Sequence, residues 1–169
     1  MEIGQLRASN RSRLAELLVA TGAFRREEIE VALSLFDFEM RRSADDEPAD
    51  YEFVGAFEDG ELAGYACFGP TPATEGTYDL YWLAVHPDAQ GRGIGRALVH
   101  AVEAKLIARD GRLLVVETSS RPDYSGTRQF YARSGYIEAA RVRDFYAPAD
   151  DRILLTTRLT TRDGGAAIR

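Results

Sequence analysis

A glycine-rich segment at residues 90–96 carries the clearest chemical signal in this sequence. It lies between an apolar, strand-like run and an amphipathic, helix-like run, and it reads Gln90-Gly91-Arg92-Gly93-Ile94-Gly95-Arg96. Glycines at alternate positions remove side chains, so successive backbone N–H groups can turn toward an anion at the start of the helix. The helix dipole adds partial positive charge at the same place. Arg92 and Arg96 supply forked donors that suit phosphate oxygens, so the segment predicts a site for a ligand with a diphosphate group.

The elements that must position this segment are predicted from hydrophobic periodicity, turn residues and helix caps. The predicted order begins with a strand at residues 1–8, a helix capped near Asn10, a helix at about 25–42 and a polar connection at 43–50. Strands at 51–58 and 61–68, joined by Asp59-Gly60, and a strand at 77–85 precede the glycine segment, and the helix after it is ended by Asp110-Gly111. The remaining elements are an apolar strand from Leu113, a helix at 125–134 stopped by Gly135, and strands at 136–146 and 152–160 around a turn at Pro148 and Asp150-Asp151.

Composition limits the class of protein. The 169 residues are 45% apolar and 28% charged, which suits one buried core and predicts a single domain over residues 1–162, followed by a mobile tail at 163–169. The net charge of −6 argues against nucleic-acid binding, which depends on a positive surface. The sequence has no membrane-length apolar run and no signal segment, so no membrane association is expected and the cytoplasm is the expected compartment. Cys67, the single cysteine, is expected to be a core residue, and no metal site is predicted.

A dinucleotide-binding fold is an alternative explanation of the glycine segment. That fold also joins a strand to a helix through glycines and places an acidic residue on the next strand, a role that Glu117 would fill. Here, however, five residues separate the predicted strand from Gly91, and Arg96 occupies the position where the third glycine is needed. A glycine-rich turn that binds nothing is the other alternative, but two arginines exceed what a turn requires.

The stretch from Leu83 to Leu98, which includes Gln-x-x-Gly-x-Gly, resembles the acetyl-CoA loop of the GNAT superfamily of N-acetyltransferases. A second segment, Phe130-Tyr131-Ala132-Arg133-Ser134-Gly135-Tyr136, resembles a later motif of the same family. The resemblance covers nearly the whole predicted element order. It implies an α/β (α+β) fold, with a mixed, mostly antiparallel, twisted sheet of about seven strands and four helices. In that fold two central parallel strands splay apart and admit the pantetheine arm.

The resemblance also implies a reaction, in which an acetyl group moves from acetyl-CoA to a primary amine of a small molecule or peptide by direct attack. It places backbone groups of Leu83 and Val85 beside the pantetheine and the acetyl carbonyl, and the segment from Gln90 to Arg96 around the pyrophosphate. Tyr131 matches the tyrosine that protonates the coenzyme A thiolate in many members. Tyr124 stands where an asparagine commonly helps to hold the donor, and it would either stack on or hydrogen-bond with the coenzyme or lie at the surface.

The general base is not fixed by the sequence. Asp79 matches the position of a catalytic glutamate in some GNAT members, and its shorter side chain would act through water. Glu117 is the second candidate, and a base supplied by water alone is the third. Because the base is open and Tyr124 departs from the family pattern, a non-catalytic acyl-CoA-binding or sensing domain remains the alternative function.

The acceptor pocket is expected to involve the first two helices and the final hairpin. The resemblance also leaves a homodimer possible, because strand edges in this fold often pair between subunits. Candidate aromatic walls and acidic residues that would attract a cation are Phe24, Phe36, Phe38 and Tyr146, and Asp37, Glu39, Asp150 and Asp151.

Overall fold

The computed structural model describes residues 1–42 and 50–160. Those residues form seven β-strands and four α-helices, with three short 3-10 turns. The strands are β1 (Glu2–Gln5), β2 (Glu52–Glu58), β3 (Glu61–Pro70), β4 (Thr77–Val85), β5 (Leu113–Ser119), β6 (Ile137–Ala147) and β7 (Asp150–Arg158). The helices are α1 (Arg11–Thr21), α2 (Arg26–Met40), α3 (Ile94–Ile107) and α4 (Ser125–Arg133).

All seven strands belong to one mixed sheet, in the order β1-β2-β3-β4-β5-β7-β6. The predicted number of strands, number of helices and class of sheet are therefore confirmed. The splaying of two central strands stays a prediction. The predicted polar connection, apart from Asp50, and the predicted mobile tail lie outside the described residues.

The chain forms two compact units. Among the described residues, the first contains those within Met1–Pro72 and Asp79–Val102, and the second contains Ala73–Tyr78 and those from Glu103 onward. The expectation of a single domain over residues 1–162 remains a prediction.

In the first unit, β1, β2 and β3 pair antiparallel. The β2–β3 hairpin turns at Asp59 and Gly60, whose φ angles are +50° and +83°. Two successive positive φ angles match the right-handed twist of hairpin strands, which is why Asp-Gly favours this turn. The predicted hairpin is confirmed, and β3 extends two residues further than expected, to Pro70.

The core of the first unit lies where α1 and α2 cover this sheet. Leu14, Leu17 and Leu18 of α1 are fully buried, as is Phe36 of α2. Cys67 on β3 is also fully buried, and burial, followed by the charge of Glu39, raises the pKa of its thiol. The expectation that Cys67 is a core residue is confirmed.

In the second unit, β7 pairs antiparallel with both β5 and β6. The predicted turn at Asp150-Asp151 is wrong, because the turn consists of Pro148 and Ala149 and both aspartates belong to β7. Ala149 has a φ of +62°, and its amide donates to Asp144 Oδ1 at 2.7 Å. The Asp144 side chain thus supports a left-handed residue that the sequence pattern did not indicate.

Across the described ranges, no helix has both the length and the apolar character needed to cross a membrane.

Candidate functional site

The glycine-rich segment connects β4 to α3 in the first unit. The His86 amide donates to the Ala63 carbonyl oxygen at 2.8 Å, and Pro87–Ala89 form one 3-10 turn. Gly91 and Gly93 then have φ angles of +77° and +83°, a conformation that is strained for a residue with a Cβ. A Cβ at either glycine would meet no atom within 4 Å. Backbone conformation, and not crowding, therefore requires glycine at both positions.

The first turn of α3 presents backbone amides to the same place. The amide of Ala97 donates to the Gly93 carbonyl oxygen at 3.0 Å. Residues 93–96 therefore lie in the first turn, where amides have no acceptor within the helix. Ile94 is 1% exposed, so its buried side chain fixes the start of the helix. These amides, with the positive end of the helix dipole, form an arrangement suited to an anion.

Two side chains of the segment contact the protein itself. Gln90 Nε2 donates to the Val85 carbonyl oxygen at 3.2 Å. Arg92 Nη1 donates to Glu58 Oε2 at 3.0 Å, and Arg92 Nη2 donates to the Asp88 carbonyl oxygen at 2.8 Å. These bonds hold the segment against β4 and the β2–β3 hairpin. A phosphate contact by Arg92 requires its guanidinium to leave these oxygens or to be shared with them, whereas Arg96 is exposed.

Asp79, Leu83 and Val85 lie along β4 at even spacings, and all three are partly exposed. The neighbouring Leu80 and Ala84 are buried, as the alternation of a strand requires. The Thr71 hydroxyl donates to Asp79 Oδ2 at 2.6 Å, which fixes the orientation of the carboxylate. Burial and then the Asp79 charge raise the pKa of Tyr81 to about 12.

Tyr131 lies on α4 in the second unit and is 3% exposed. Its ring packs edge-on against Phe130 and Tyr136, with centroids 5.0 and 5.2 Å away. Tyr136 is itself held by a hydrogen bond from its hydroxyl to Glu103 Oε1 at 3.0 Å. Burial raises the pKa of Tyr131. The phenol therefore keeps its proton at neutral pH, which is the state that a proton donor needs.

Glu117 lies on β5 in the same unit, and its carboxylate is engaged on both oxygens. The Tyr146 hydroxyl donates to Oε1, and Arg152 Nη2 lies 2.5 Å from Oε2. The side chain of Glu117 remains 41% exposed. Glu117 thus belongs to an organised group of side chains in the second unit.

Tyr124 lies in the 3-10 turn Pro122–Tyr124, directly before α4, and is partly exposed. The start of α4 is tied to β5 by Arg128, whose Nη1 donates to the carbonyl oxygens of Ser119 at 2.7 Å and Arg121 at 2.9 Å. The position of Tyr124 is therefore set by the anchored beginning of this helix.

The residues expected to line an acceptor pocket differ in exposure. Phe36 is fully buried and packs edge-on against Phe53 at 5.4 Å, so its assignment as a pocket wall is wrong. Phe38 and Tyr146 are 56% and 43% exposed. The four predicted acidic residues each contact a side chain of their own unit: Asp37 with Arg11, Glu39 with Arg42, Asp150 with Ser119, and Asp151 with Arg141.

Sequence comparison adds to this geometry. A model of the Acetyltransferase (GNAT) family matches residues 14–136, a range that contains both the glycine segment and Tyr131. The chain belongs to the GNAT acetyltransferase family. This membership sets aside the dinucleotide-binding alternative for the glycine segment.

Two curated relatives match parts of this GNAT chain. Acetyltransferase ECA0875 from Pectobacterium atrosepticum is 34% identical over 96 residues, which cover 51% of this chain and 66% of that protein. Mycothiol acetyltransferase from Kineococcus radiotolerans is 42% identical over 82 residues, which cover 48% of this chain and 25% of that protein. The chain thus spans less than two thirds of the length of these relatives.

Solved structures match the GNAT chain over nearly its whole length. A crystal structure of a GNAT-family protein from Desulfovibrio desulfuricans is 40% identical, with a TM-score of 0.85, and the match covers 94% of this chain and 100% of that one. An aminoglycoside 6'-N-acetyltransferase complexed with coenzyme A has a TM-score of 0.74 at 17% identity, with 97% of this chain and 100% of that chain covered. The second likeness concerns the fold alone.

Sequence reasoning missed the side chains that hold the candidate residues. Thr71, the residue after β3, orients Asp79 of β4, and Arg152 of β7 pairs with Glu117 of β5. Neither contact has a local sequence signal, because the partners lie in separate segments of the chain and meet only through strand pairing and turn geometry. To predict the Glu117–Arg152 pair, one would have to know the β5–β7 register, which sets Ser119 opposite Arg152.

Proposed function

We propose that this protein transfers the acetyl group of acetyl-CoA to a primary amine of a small molecule or peptide. The glycine segment carries the proposal. Gly91 and Gly93 adopt positive φ angles immediately before the first turn of α3, so backbone amides are grouped where a diphosphate would be bound. Membership of the GNAT family supports the nature of the reaction. Acetyl-CoA is the cosubstrate of this proposal.

Each step of the transfer is assigned to a group of this chain. The amides of residues 91–96 hold the pyrophosphate, with Gln90 fixing the segment on β4, and backbone groups of Leu83 and Val85 lie beside the pantetheine and the acetyl carbonyl. Preorganised N–H donors suit the negative charge that grows on the carbonyl oxygen, because they need no reorganisation during the reaction. Tyr131 donates the proton that the departing thiolate takes up. Tyr124 adds a stacking or polar contact to the coenzyme.

Asp79 is the base in this proposal, acting on the acceptor amine through a water molecule. Its partial exposure gives water access, and the bond from Thr71 at 2.6 Å keeps one carboxylate oxygen fixed. A base must reach the proton it removes directly or through one water. Glu117 and water alone are the competing assignments for this step.

The test begins with a calorimetric titration of the purified full chain with acetyl-CoA. A panel of primary amines is then screened for release of the coenzyme A thiol. Saturable binding together with amine-dependent thiol release is the expected result. Failure to bind at millimolar acetyl-CoA would end the proposal, whereas binding without amine-dependent release would favour a non-catalytic acyl-CoA-binding domain.

A further inference from the structure

Four side chains from three strands of the second unit form a closed ring of contacts, here called the Tyr146 cluster: Glu117 of β5, Phe145 and Tyr146 of β6, and Arg152 of β7. The Tyr146 hydroxyl donates to Glu117 Oε1. Arg152 Nη2 lies 2.5 Å from Glu117 Oε2, and the Arg152 guanidinium carbon lies 5.0 Å from the centre of the Phe145 ring. The Phe145 and Tyr146 rings meet edge-on at 5.0 Å. Each member therefore contacts two others.

An irregularity in β6 brings the two aromatic residues into one cluster. Successive side chains of a regular strand point to opposite faces, yet Phe145 and Tyr146 both contact the Glu117–Arg152 pair. The pairing of β6 with β7 shifts between Val142 and Ala147, and Asp144 has a φ of +50°. A bulge of this kind redirects side chains, so the backbone of β6 gives up regular pairing to place both rings together.

The rings of the cluster are held in place and yet exposed. Phe145 is 49% exposed and Tyr146 is 43% exposed. The ring contacts, the hydrogen bond and the ion pair restrict their rotation in advance, so these side chains lose less conformational entropy when a ligand packs on them. A fixed aromatic surface beside water is a feature of binding sites more than of folding cores.

The charges of the cluster compensate each other. Glu117 accepts from a phenol on one oxygen and pairs with a guanidinium on the other, so the cluster offers little net charge to attract a dication. Contact with the rings of Phe145 and Tyr146 is therefore the main source of selectivity among acceptors. The Tyr146 hydroxyl and the Arg152 guanidinium occupy the two oxygens that Glu117 would use to take up a proton. Burial, followed by the hydrogen bond to Glu117, raises the pKa of the Tyr146 hydroxyl, so this hydroxyl stays protonated and remains the donor.

We propose that Phe145 and Tyr146 bind an apolar or aromatic group next to the acceptor's amine, and that Glu117 and Arg152 are positioning residues for these rings. This inference rests on the proposed function. It names the acceptor class as arylalkylamines, or peptides with an aromatic residue near the reacting amine, over short aliphatic amines.

The experiment compares phenethylamine and butylamine as acceptors at saturating acetyl-CoA, for the wild type and three variants. Tyr146→Ala removes a ring and should raise the KM for phenethylamine by about tenfold, with a smaller effect on butylamine. Tyr146→Phe keeps the ring but removes its hydroxyl, and Glu117→Gln removes the charge. Each should raise the KM for phenethylamine by about threefold and change the KM for butylamine less, because the rings lose the contacts that hold them in place.

Two exposed residues of β6 provide matched controls. Glu138→Gln removes a carboxylate that is ion-paired with Arg141, and Ile137→Ala removes an apolar side chain that is 67% exposed. Neither substitution should change the KM of either amine. Thermal midpoints and acetyl-CoA affinity, measured for every variant, establish that the proteins are folded.

The outcomes separate this inference from the proposed function. If the wild type acetylates no amine at all, the proposed function fails and this inference fails with it. If amines are acetylated but phenethylamine is not preferred to butylamine, or if Tyr146→Ala leaves its KM unchanged, only the inference is overturned. Loss of kcat and of the acid limb of the kcat–pH profile in Glu117→Gln, at constant acceptor KM, would assign Glu117 as the base instead.

Discussion

Tyr131 is buried among aromatic rings, so its substitution by phenylalanine tests the role of the hydroxyl alone. Substitution by phenylalanine removes one oxygen from a side chain that is 3% exposed, while the edge-on contacts with Phe130 and Tyr136 can persist. If the hydroxyl supplies the proton for the thiolate, turnover should fall by about a hundredfold or more, because general acid catalysis contributes about 10²–10⁴-fold.

Steady-state kinetics with acetyl-CoA check this prediction. The dissociation constant of acetyl-CoA should change much less than kcat in Tyr131→Phe. Tyr78→Phe, on a partly exposed tyrosine of β4, is the control and should leave kcat unchanged. Wild-type turnover in Tyr131→Phe would remove this residue from the proton-transfer step.

Substitution of Gly93 tests whether anion binding depends on the backbone conformation of the glycine segment. Gly93→Ala places a Cβ at a φ of +83° with no neighbouring atom within 4 Å, so its cost is about 1–2 kcal/mol of backbone strain and not a steric clash. Gly22→Ala has a similar setting, with a φ of +60° and no neighbour within 4 Å, but it lies at the end of α1. Both variants should lose similar stability in urea, whereas only Gly93→Ala should weaken acetyl-CoA binding in calorimetry. Equal affinities in the two variants would count against the site.

Close packing of α3 on the sheet is an element-scale property that depends on Gly64. A Cβ there would lie 3.0 Å from both the Ala84 carbonyl oxygen and Ile94 Cγ2, and 3.2 Å from Leu98 Cδ1. Gly64→Ala should therefore push α3 away from β3 and lower the free energy of unfolding by about 1–3 kcal/mol. Because Ile94 begins the helix, acetyl-CoA affinity should fall as well.

Gly126→Ala is the matched control for this packing. Gly126 lies within α4, and a Cβ there would meet nothing within 4 Å. The substitution should raise the free energy of unfolding by about 0.5–1 kcal/mol, because alanine favours the helix. Urea unfolding of both variants measures the difference, and a Gly64→Ala protein as stable as the wild type would contradict the close approach of α3.

The β6–β7 pair should show a dependence on pH through Arg141. Its guanidinium donates to Glu138 at 2.9 Å and to Asp151 at 3.1 Å. The hydrogen bond from Arg141 lowers the pKa of Glu138, and a backbone bond from Asp144 followed by Arg141 lowers the pKa of Asp151. A carboxylate with a lowered pKa stabilises the fold above its ordinary pKa, and this stabilisation is lost as the pH falls through the lowered value.

Arg141→Met should therefore lower the urea midpoint at neutral pH, and the difference from wild type should vanish in strong acid, where both carboxylates are protonated. Arg133→Met, on an exposed residue of α4, should match the wild type throughout. A difference that is constant from neutral to acid pH would show that the effect comes from the arginine stem and not from its charge.

Over the whole molecule, the sequence predicted what local chemistry determines. Asp59-Gly60 specifies its hairpin turn, Gly135 ends α4, and the glycine segment begins α3 where the pattern indicated. The Tyr146 cluster was not predictable, because Arg152 reaches Glu117 only through the β5–β7 register and Phe145 joins them only through an irregular β6. The last turn was predicted at Pro148 and Asp150-Asp151, and its true second residue, Ala149, was missed because a left-handed alanine has no sequence signature and its support from Asp144 is five residues away.

Ligand binding should stabilise the molecule as a whole. A ligand that binds only the folded chain adds about 2.7 kcal/mol to the free energy of unfolding when its concentration is about a hundred times its dissociation constant. Acetyl-CoA should therefore raise the thermal midpoint progressively with concentration, whereas NADH, the ligand of the rejected dinucleotide alternative, should leave it unchanged. A shift with NADH and none with acetyl-CoA would reverse the choice of ligand.

The burial of Cys67 has a practical consequence for kinetic work on this chain. As the single cysteine, fully covered and with a raised pKa, it should react with a disulfide reagent such as DTNB only when the structure opens. In an acetyl-transfer assay with DTNB, the rapid colour change then measures the released coenzyme A thiol alone, without a contribution from the protein. The slow change that follows measures the rate at which the native core exposes its sulfur.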